Sequence, residues 1–253
     1  MKKEKVVLAF SGGLDTSFCV KYLSEEKGYE VHTAIANTGG FSPAELKVIE
    51  QKALALGAAS HVTLDIEQEY YEKSIKYMVF GNILRNGTYP ISVSSERIFQ
   101  AIAIIEYAKS IGADCVAHGS TGAGNDQVRF DLTFQVLAPE IEIITPTRDM
   151  TLTREYEINY LREHGFEADF KTMEYSINKG LWGTSIGGKE TLRSEQTLPE
   201  TVKLRTGTAS PNVQLCASFR QPWLYFIGKS DFSATEAMRY NYETGQVDWD
   251  YIT

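Results

Sequence analysis

The sequence predicts an α/β fold, a parallel sheet sandwiched by helices, through about residue 165. Three observations predict it. Short apolar segments alternate with amphipathic ones over the first two-thirds of the chain, the pattern of parallel strands joined by helical crossovers. The stretch VVLAFSGGLDTSFCVKYL, residues 6–23, passes from an apolar strand through two adjacent glycines into helical spacing. A second glycine-rich stretch, AHGSTGAGNDQVRF, follows a later apolar segment, at the strand end where such sheets bind ligands.

Element by element, strands are expected over 6–10, 30–36, 60–64, 115–119 and 141–145. Helices are expected over 43–56, 68–80, 94–111, 127–137 and 153–164. Ser42 followed by Pro43 is a helix start, with serine as cap and proline at the first helical position. Glu45, three residues on, completes a capping box. Gly112 supplies a stop. Near residue 166 the pattern changes, so residues 1–165 read as a nucleotide-binding domain and 166–199 as the start of a second region. NKGLWGTSIGGKETL suggests binding loops there. Residues 200–253 stay unassigned, with short strands expected from the weak alternation in NVQLCASF and PWLYFIG.

Composition narrows the function. The 253 residues are 43% hydrophobic and 23% charged, an ordinary globular balance. No run of 18 apolar residues spans a membrane, and the opening Met-Lys-Lys-Glu-Lys leads into no signal peptide. Cys19, Cys115 and Cys216 are far apart, which suits a reducing compartment, with the cytoplasm as default, and argues against a disulfide framework or structural zinc. A net charge of −8 counts against a nucleic-acid surface but permits a local pocket for a small anion.

The turn at 11–17 has the makings of a phosphate cradle. First-turn amides of a helix have no intrahelical acceptor and sit at the positive end of its dipole. Adjacent glycines let an anion approach the backbone, and Ser11, Thr16 and Ser17 add hydroxyls. The loop has neither the Gly-Lys-Ser/Thr ending of a Walker loop nor G-x-G-x-x-G. The alternative is a tight turn with Ser11 or Asp15 capping the helix. In the second stretch, Thr121, Asn125, Asp126 and Arg129 offer a hydroxyl, an amide, an anion and a cation. Its alternative is a plain loop in which Asn125 and Asp126 cap the next helix and Arg129 is solvated.

AFSGGLDTS resembles the pyrophosphate loop of the ATP pyrophosphatases, and the two motifs together closely resemble argininosuccinate synthase. The resemblance continues through NGTYPISVSSERIFQAIA and YSINKGLWGTSIGG, over about residues 5–199. It implies a ligase that joins citrulline to aspartate through a citrullyl-adenylate, with ATP cleaved to AMP and pyrophosphate. It further implies that Ala9, Phe10, Ser11, Gly12, Gly13, Leu14, Asp15, Thr16 and Ser17 bind ATP, with Ala36 against the adenosine and Gly119 also in contact. Thr121, Asn125 and Asp126 would hold aspartate. Tyr89, Ser94, Asn125, Arg129, Ser176 and Ser185 would hold citrulline. Such chemistry rests on positioning, so no single catalytic residue is assigned; Asp15 and Arg129 are the best candidates. Arg129 can clamp a carboxylate and Asp126 can pair with an ammonium. No side-chain cluster marks a metal site; Mg2+ would arrive with ATP, with Asp15 able to help hold it or simply to serve as a helix-start carboxylate.

Several residues have plainer readings. Tyr89 before Pro90 suits turn packing, and Ser176 and Ser185 suit ordinary loops. His118 reads as a packed, hydrogen-bonded histidine rather than a base, and Trp182 as an anchor for its loop. The aromatics of PWLYFIG read as core or interface. Two departures from the family are visible. Ala123 stands where the family often has lysine, and the match fades after RSEQTLPE. A late glutamate and tyrosine of the family have no counterpart, and its tetramerising helix is missing. If residues 200–253 stand in place of the family's long second domain, the expectation is a monomer or dimer that binds ATP measurably and forms little or no argininosuccinate. Rival readings are a non-catalytic nucleotide-binding remnant and another ATP pyrophosphatase, such as an amidating synthetase or a tRNA-modifying enzyme.

Overall fold

The computed structural model describes residues 3–85, 90–122, 124–166, 176–187, 239–241 and 246–248. The chain divides into two compact units, Met1–Ile75 with Val93–Met173 and Lys76–Ser92 with Glu174–Thr253.

The first unit is built on five parallel strands: β1 (Lys5–Ala9), β2 (Glu30–Asn37), β3 (Ser60–Asp65), β4 (Cys115–His118) and β5 (Glu142–Ile144). Their order across the sheet is β3-β2-β1-β4-β5. Direction of winding reverses between β1 and β4, so a crevice opens at their carboxyl ends, and both glycine-rich stretches begin there.

β1 shows why both sheet faces are covered. Val6, Leu8 and Phe10 belong to one core, with Phe18, Val20, Ala53, Leu56 and Leu161. Val7, between them, belongs to the other core, with Ile104, Ile105 and Phe134. Alternate residues of a strand point to opposite faces, so a strand covered on both sides reads as an unbroken apolar run. Helices α1 (Leu14–Lys21), α2 (Pro43–Ala55) and α8 (Arg154–Glu163) cover the first face; α5 (Ser92–Ser110) and α6 (Asp126–Leu137) cover the second. Each fully buried aliphatic side chain contributes roughly 1.5–3 kcal/mol.

The expected capping box is present: the Ser42 hydroxyl accepts from the Glu45 amide, and the Glu45 carboxylate accepts from the Ser42 amide. The expected helix at 68–80 is instead three pieces: α3 (Glu67–Tyr70), a π-helical turn over Tyr71–Ile75, and α4 (Lys76–Phe80). A second π-helical turn, Tyr22–Glu26, extends α1. One short helix, α7 (Pro146–Asp149), has no counterpart in the expectations because four residues carry no helical period.

In the second unit, β6 (Ser176–Gly180) and β7 (Gly183–Gly187) form an antiparallel hairpin. Trp182, at its turn, donates from Nε1 to the Pro90 carbonyl at 2.8 Å, the anchoring role expected of it. β8 (Arg239–Asn241) and β9 (Gln246–Asp248) form a second small hairpin. The strands expected in NVQLCASF and PWLYFIG lie outside the described residues.

Candidate functional site

The 11–17 turn is made by backbone. Gly12 has φ +75, a left-handed conformation that residues with a Cβ rarely adopt. Gly13, extended at φ −72 and ψ 177, caps α1, and no side chain accepts from the first-turn amides. The reading with Ser11 or Asp15 as cap is therefore wrong. The hydroxyls shape the turn itself: Ser17 Oγ donates to the Gly13 carbonyl at 2.6 Å and Thr16 Oγ1 donates to it at 3.3 Å. Ser11 Oγ accepts from the Gly13 amide at 3.3 Å. The side chains of Phe10, Leu14 and Ser17 are buried, which leaves only their backbone to face the crevice.

Two titratable groups back this turn, and neither was legible from its sequence. Lys52, on α2, donates from Nζ to the Gly12 carbonyl at 2.5 Å, and burial pushes its ammonium down to about 8. Glu157, on α8, is 1% exposed and hydrogen-bonded to Asp15 and to the Thr147 hydroxyl. Burial and then the neighbouring Asp15 charge raise its carboxyl to about 8. At neutral pH Glu157 is thus an acid that can donate to Asp15 without adding a second negative charge.

The 119–125 turn lies directly against the first. A Cβ placed on Gly119 would stand 3.2 Å from the Asp15 carbonyl carbon and from the Thr16 amide nitrogen. Only glycine lets β4 end this close to the start of α1. Side chains hold the rest of the turn. His118, 1% exposed, accepts at Nδ1 from the Ser120 amide at 3.2 Å. Its Nε2 must then carry the proton, and it donates to Asp131 Oδ1 at 2.8 Å. Asp131 Oδ2 accepts from Arg148 Nη1 at 2.6 Å, and Arg148 also donates to Gln127. Gln127 Nε2 donates to the carbonyls of Gly122 and Gly124. Partial burial alone would raise the Asp131 carboxyl, but the hydrogen bonds from His118 and Arg148 outweigh it and hold it below its ordinary range. His118 is a strut, as expected.

Asp126 opens α6 and anchors two guanidinium groups, Arg129 Nη1 at 2.6 Å and Arg97 Nε at 3.1 Å. Arg129 is therefore not simply solvated, and Asn125 makes no side-chain cap. The two arginines and one carboxylate leave a local charge of +1, suited to a small carboxylate. Beside them Glu96, 4% exposed, accepts from Thr38 at 2.6 Å and from Gln100 at 3.1 Å. Burial raises its carboxyl. Thr38 directly follows β2, which places the first turns of α5, with Ser94, at the same edge of the sheet. Ala36 is a buried residue near the end of β2.

So the first unit gathers the 9–17 loop, Ala36, Ser94, Gly119, Thr121, Asn125, Asp126 and Arg129 at the carboxyl edge of one sheet. In the second unit Ser176 pairs with Gly187 and Ser185 with Asn178 across the hairpin. Tyr89 and Ala123 lie outside the described residues, as do the side chains of Ser176 and Ser185. Among the described residues no cluster of three metal-ligating side chains occurs, and no helix is long and apolar enough to cross a membrane.

Comparison with known proteins decides the family. The model of the arginosuccinate synthase N-terminal HUP domain matches residues 5–167. The chain belongs to the argininosuccinate synthase family. Argininosuccinate synthase from Methanocaldococcus jannaschii is 41% identical over 196 residues, 78% of this chain and 49% of that protein. The enzyme from Xanthomonas campestris pv. campestris is 45% identical over 199 residues, 77% of this chain and 49% of that protein. That from Pyrobaculum aerophilum is 42% identical over 188 residues, 74% and 47% of the two chains. This member spans about half the length of the curated relatives it matches.

Proposed function

We propose that this chain binds ATP, citrulline and aspartate at the carboxyl edge of the first sheet and joins the two amino acids, with ATP cleaved to AMP and pyrophosphate. The observation that carries the proposal is the contact between its two motifs, where Gly119 meets the Asp15–Thr16 backbone without room for a Cβ. A phosphate loop and a set of polar groups suited to amino acids are thereby held as one constellation. Membership of the family and the relatives named argininosuccinate synthase support the same reading.

In this reading the glycines at 12 and 13 and the first-turn amides of α1 take the β- and γ-phosphates. Arg129, and Arg97 beside it, receive a substrate carboxylate while Asp126 keeps both guanidinium groups aimed. Asp126, Asn125 and Thr121 offer the anion, amide and hydroxyl that an aspartate zwitterion needs. The ureido oxygen of citrulline forms a bond to the α-phosphorus as the bond to the β-phosphate oxygen breaks and pyrophosphate leaves. The aspartate amine then bonds to the ureido carbon, loses its proton, and AMP leaves. The protein's contribution is alignment and charge.

One carboxylate, Asp15, in the first turn beside the phosphates fits a magnesium ion held mainly by phosphate oxygens and water. When bound, that ion neutralises the charge of the leaving pyrophosphate. The buried free thiols of Cys19 and Cys115, raised by burial to about 12 and about 11, support a reducing, cytoplasmic setting and take no part in the chemistry.

The test is pyrophosphate release from ATP with citrulline and aspartate supplied separately and together. Release that requires citrulline, with argininosuccinate formed when aspartate is added, is the expected result. ATP binding with no release under any combination would reduce the function to nucleotide binding. Release with a different amine or carbonyl substrate would make the chain another ATP pyrophosphatase.

A further inference from the structure

We infer that Lys52, on the helix behind the phosphate loop, sets the orientation of the Gly12–Gly13 peptide and so aims the Gly13 N–H that meets the phosphates. The inference rests on reading the 11–17 turn as an ATP site. It names a positioning residue that is 40 positions away in sequence.

The geometry is specific. Lys52 Nζ donates to the Gly12 carbonyl at 2.5 Å. That carbonyl and the Gly13 N–H belong to one planar trans peptide, so they point in opposite directions. An ammonium fixed on the oxygen therefore fixes where the N–H points, on the side away from α2. Gly12 at φ +75 has no Cβ to restrain this plane. α2 restrains it instead, through Lys52 and through Ile49, whose Cγ1 lies 3.4 Å from where a Cβ at position 12 would be. The Gly13 N–H is otherwise engaged only by the long 3.3 Å bond to Ser11 Oγ, which an anion can replace.

Charge points the same way. Lys52 passes over the Phe166 ring, 5.7 Å from its centroid, and makes no ion pair among the described residues. Its removal from water lowers the ammonium's pKa, as noted above, and a carbonyl and a ring face do not replace a countercharge. Phosphates bound on the far side of the peptide supply one. The polarised peptide also makes Gly13 N–H a stronger donor. None of this reaches the adenosine, so the effect of Lys52 should be confined to phosphates.

The experiment compares the wild-type chain with Lys52→Met, which keeps the aliphatic stem over Phe166 and loses the charge. Calorimetry is run with ATP, inorganic pyrophosphate and adenosine on variants of matched thermal stability. The expected result is ATP and pyrophosphate bound roughly tenfold more weakly, the scale of one charge-assisted hydrogen bond, with adenosine unchanged. If the methionine variant does not fold, Lys52→Gln, which keeps an uncharged donor, carries the same comparison with a smaller loss. Unchanged ATP affinity, or an equal loss for ATP and adenosine, would overturn the inference and leave the ATP site standing. A wild-type chain that binds neither ATP nor pyrophosphate would overturn the site itself, and the role of Lys52 with it.

Discussion

The 11–17 turn is shaped by its own backbone with a cation behind it, whereas the 119–125 turn is shaped by side chains from β4, α6 and α7. The first needs two adjacent glycines, one in a left-handed conformation, and its hydroxyls fold back onto the Gly13 carbonyl. The second is tied down by His118, Asp131, Arg148 and Gln127. Their supporting carboxyls differ in kind as well. Glu157 behind the first turn is held as an acid, while Asp131 behind the second is held as an anion. A backbone cradle with fixed dipoles suits a ligand of constant shape, such as a phosphate chain. A side-chain frame suits zwitterions whose charges must be met one by one.

Gly119 is where the two plans meet, and the largest effect is expected there. Gly119→Ala forces a methyl against helix backbone, so it should cost about 2–3 kcal/mol of stability and abolish tight ATP binding. Urea melts and ATP calorimetry check this. An alanine variant with wild-type stability would show that the turns can separate freely.

Glu157→Gln tests the acid behind the first turn. The folded pKa of Glu157 is raised above its ordinary value of 4.5, so the folded chain holds a proton that the unfolded chain releases. Stability from this group is complete below pH 4.5 and is lost as pH rises toward 8. The glutamine variant lacks that loss and should be more stable than wild type at pH 8, by on the order of 2 kcal/mol. Parallel pH dependences for the two proteins would contradict the acid form.

Smaller effects are expected in the second turn. Arg129→Ala should weaken citrulline by about 1.5 kcal/mol, near tenfold, and leave ATP affinity close to wild type. Loss of ATP affinity with citrulline retained would reverse the assignment. Asp131→Asn should cost about 1 kcal/mol at neutral pH. Because the folded pKa of Asp131 is depressed, its contribution exists above the ordinary value of 3.8 and fades as pH falls through the folded value. The asparagine variant should therefore lose less stability than wild type on acidification below pH 4, as denaturation at several pH values would show.

How far the sequence reached follows the range of the interactions. The sheet was legible because apolar strands and amphipathic helices are local patterns, and Ser42–Pro43–Glu45 is a local cap. The paired motifs were legible because each is one contiguous stretch. The π-helical turns at Tyr22–Glu26 and Tyr71–Ile75 were not, since a one-position shift in the apolar stripe is too small a break to recognise in so short a segment. Lys52 against Gly12, Glu157 against Asp15 and Arg148 against Asp131 were hidden for another reason. The crossovers that give the order β3-β2-β1-β4-β5 create these contacts, and no spacing in the chain records them.

The central claim is that one edge of the sheet presents a phosphate site and an amino-acid site side by side. Amide hydrogen exchange, followed by mass spectrometry with ATP, citrulline or aspartate added singly, tests it most directly. ATP should slow exchange over residues 12–17, citrulline or aspartate should slow it over 119–129, and α8 should be unaffected by any of them. ATP bound at saturation with unchanged exchange over 12–17 would place the nucleotide elsewhere and contradict the account.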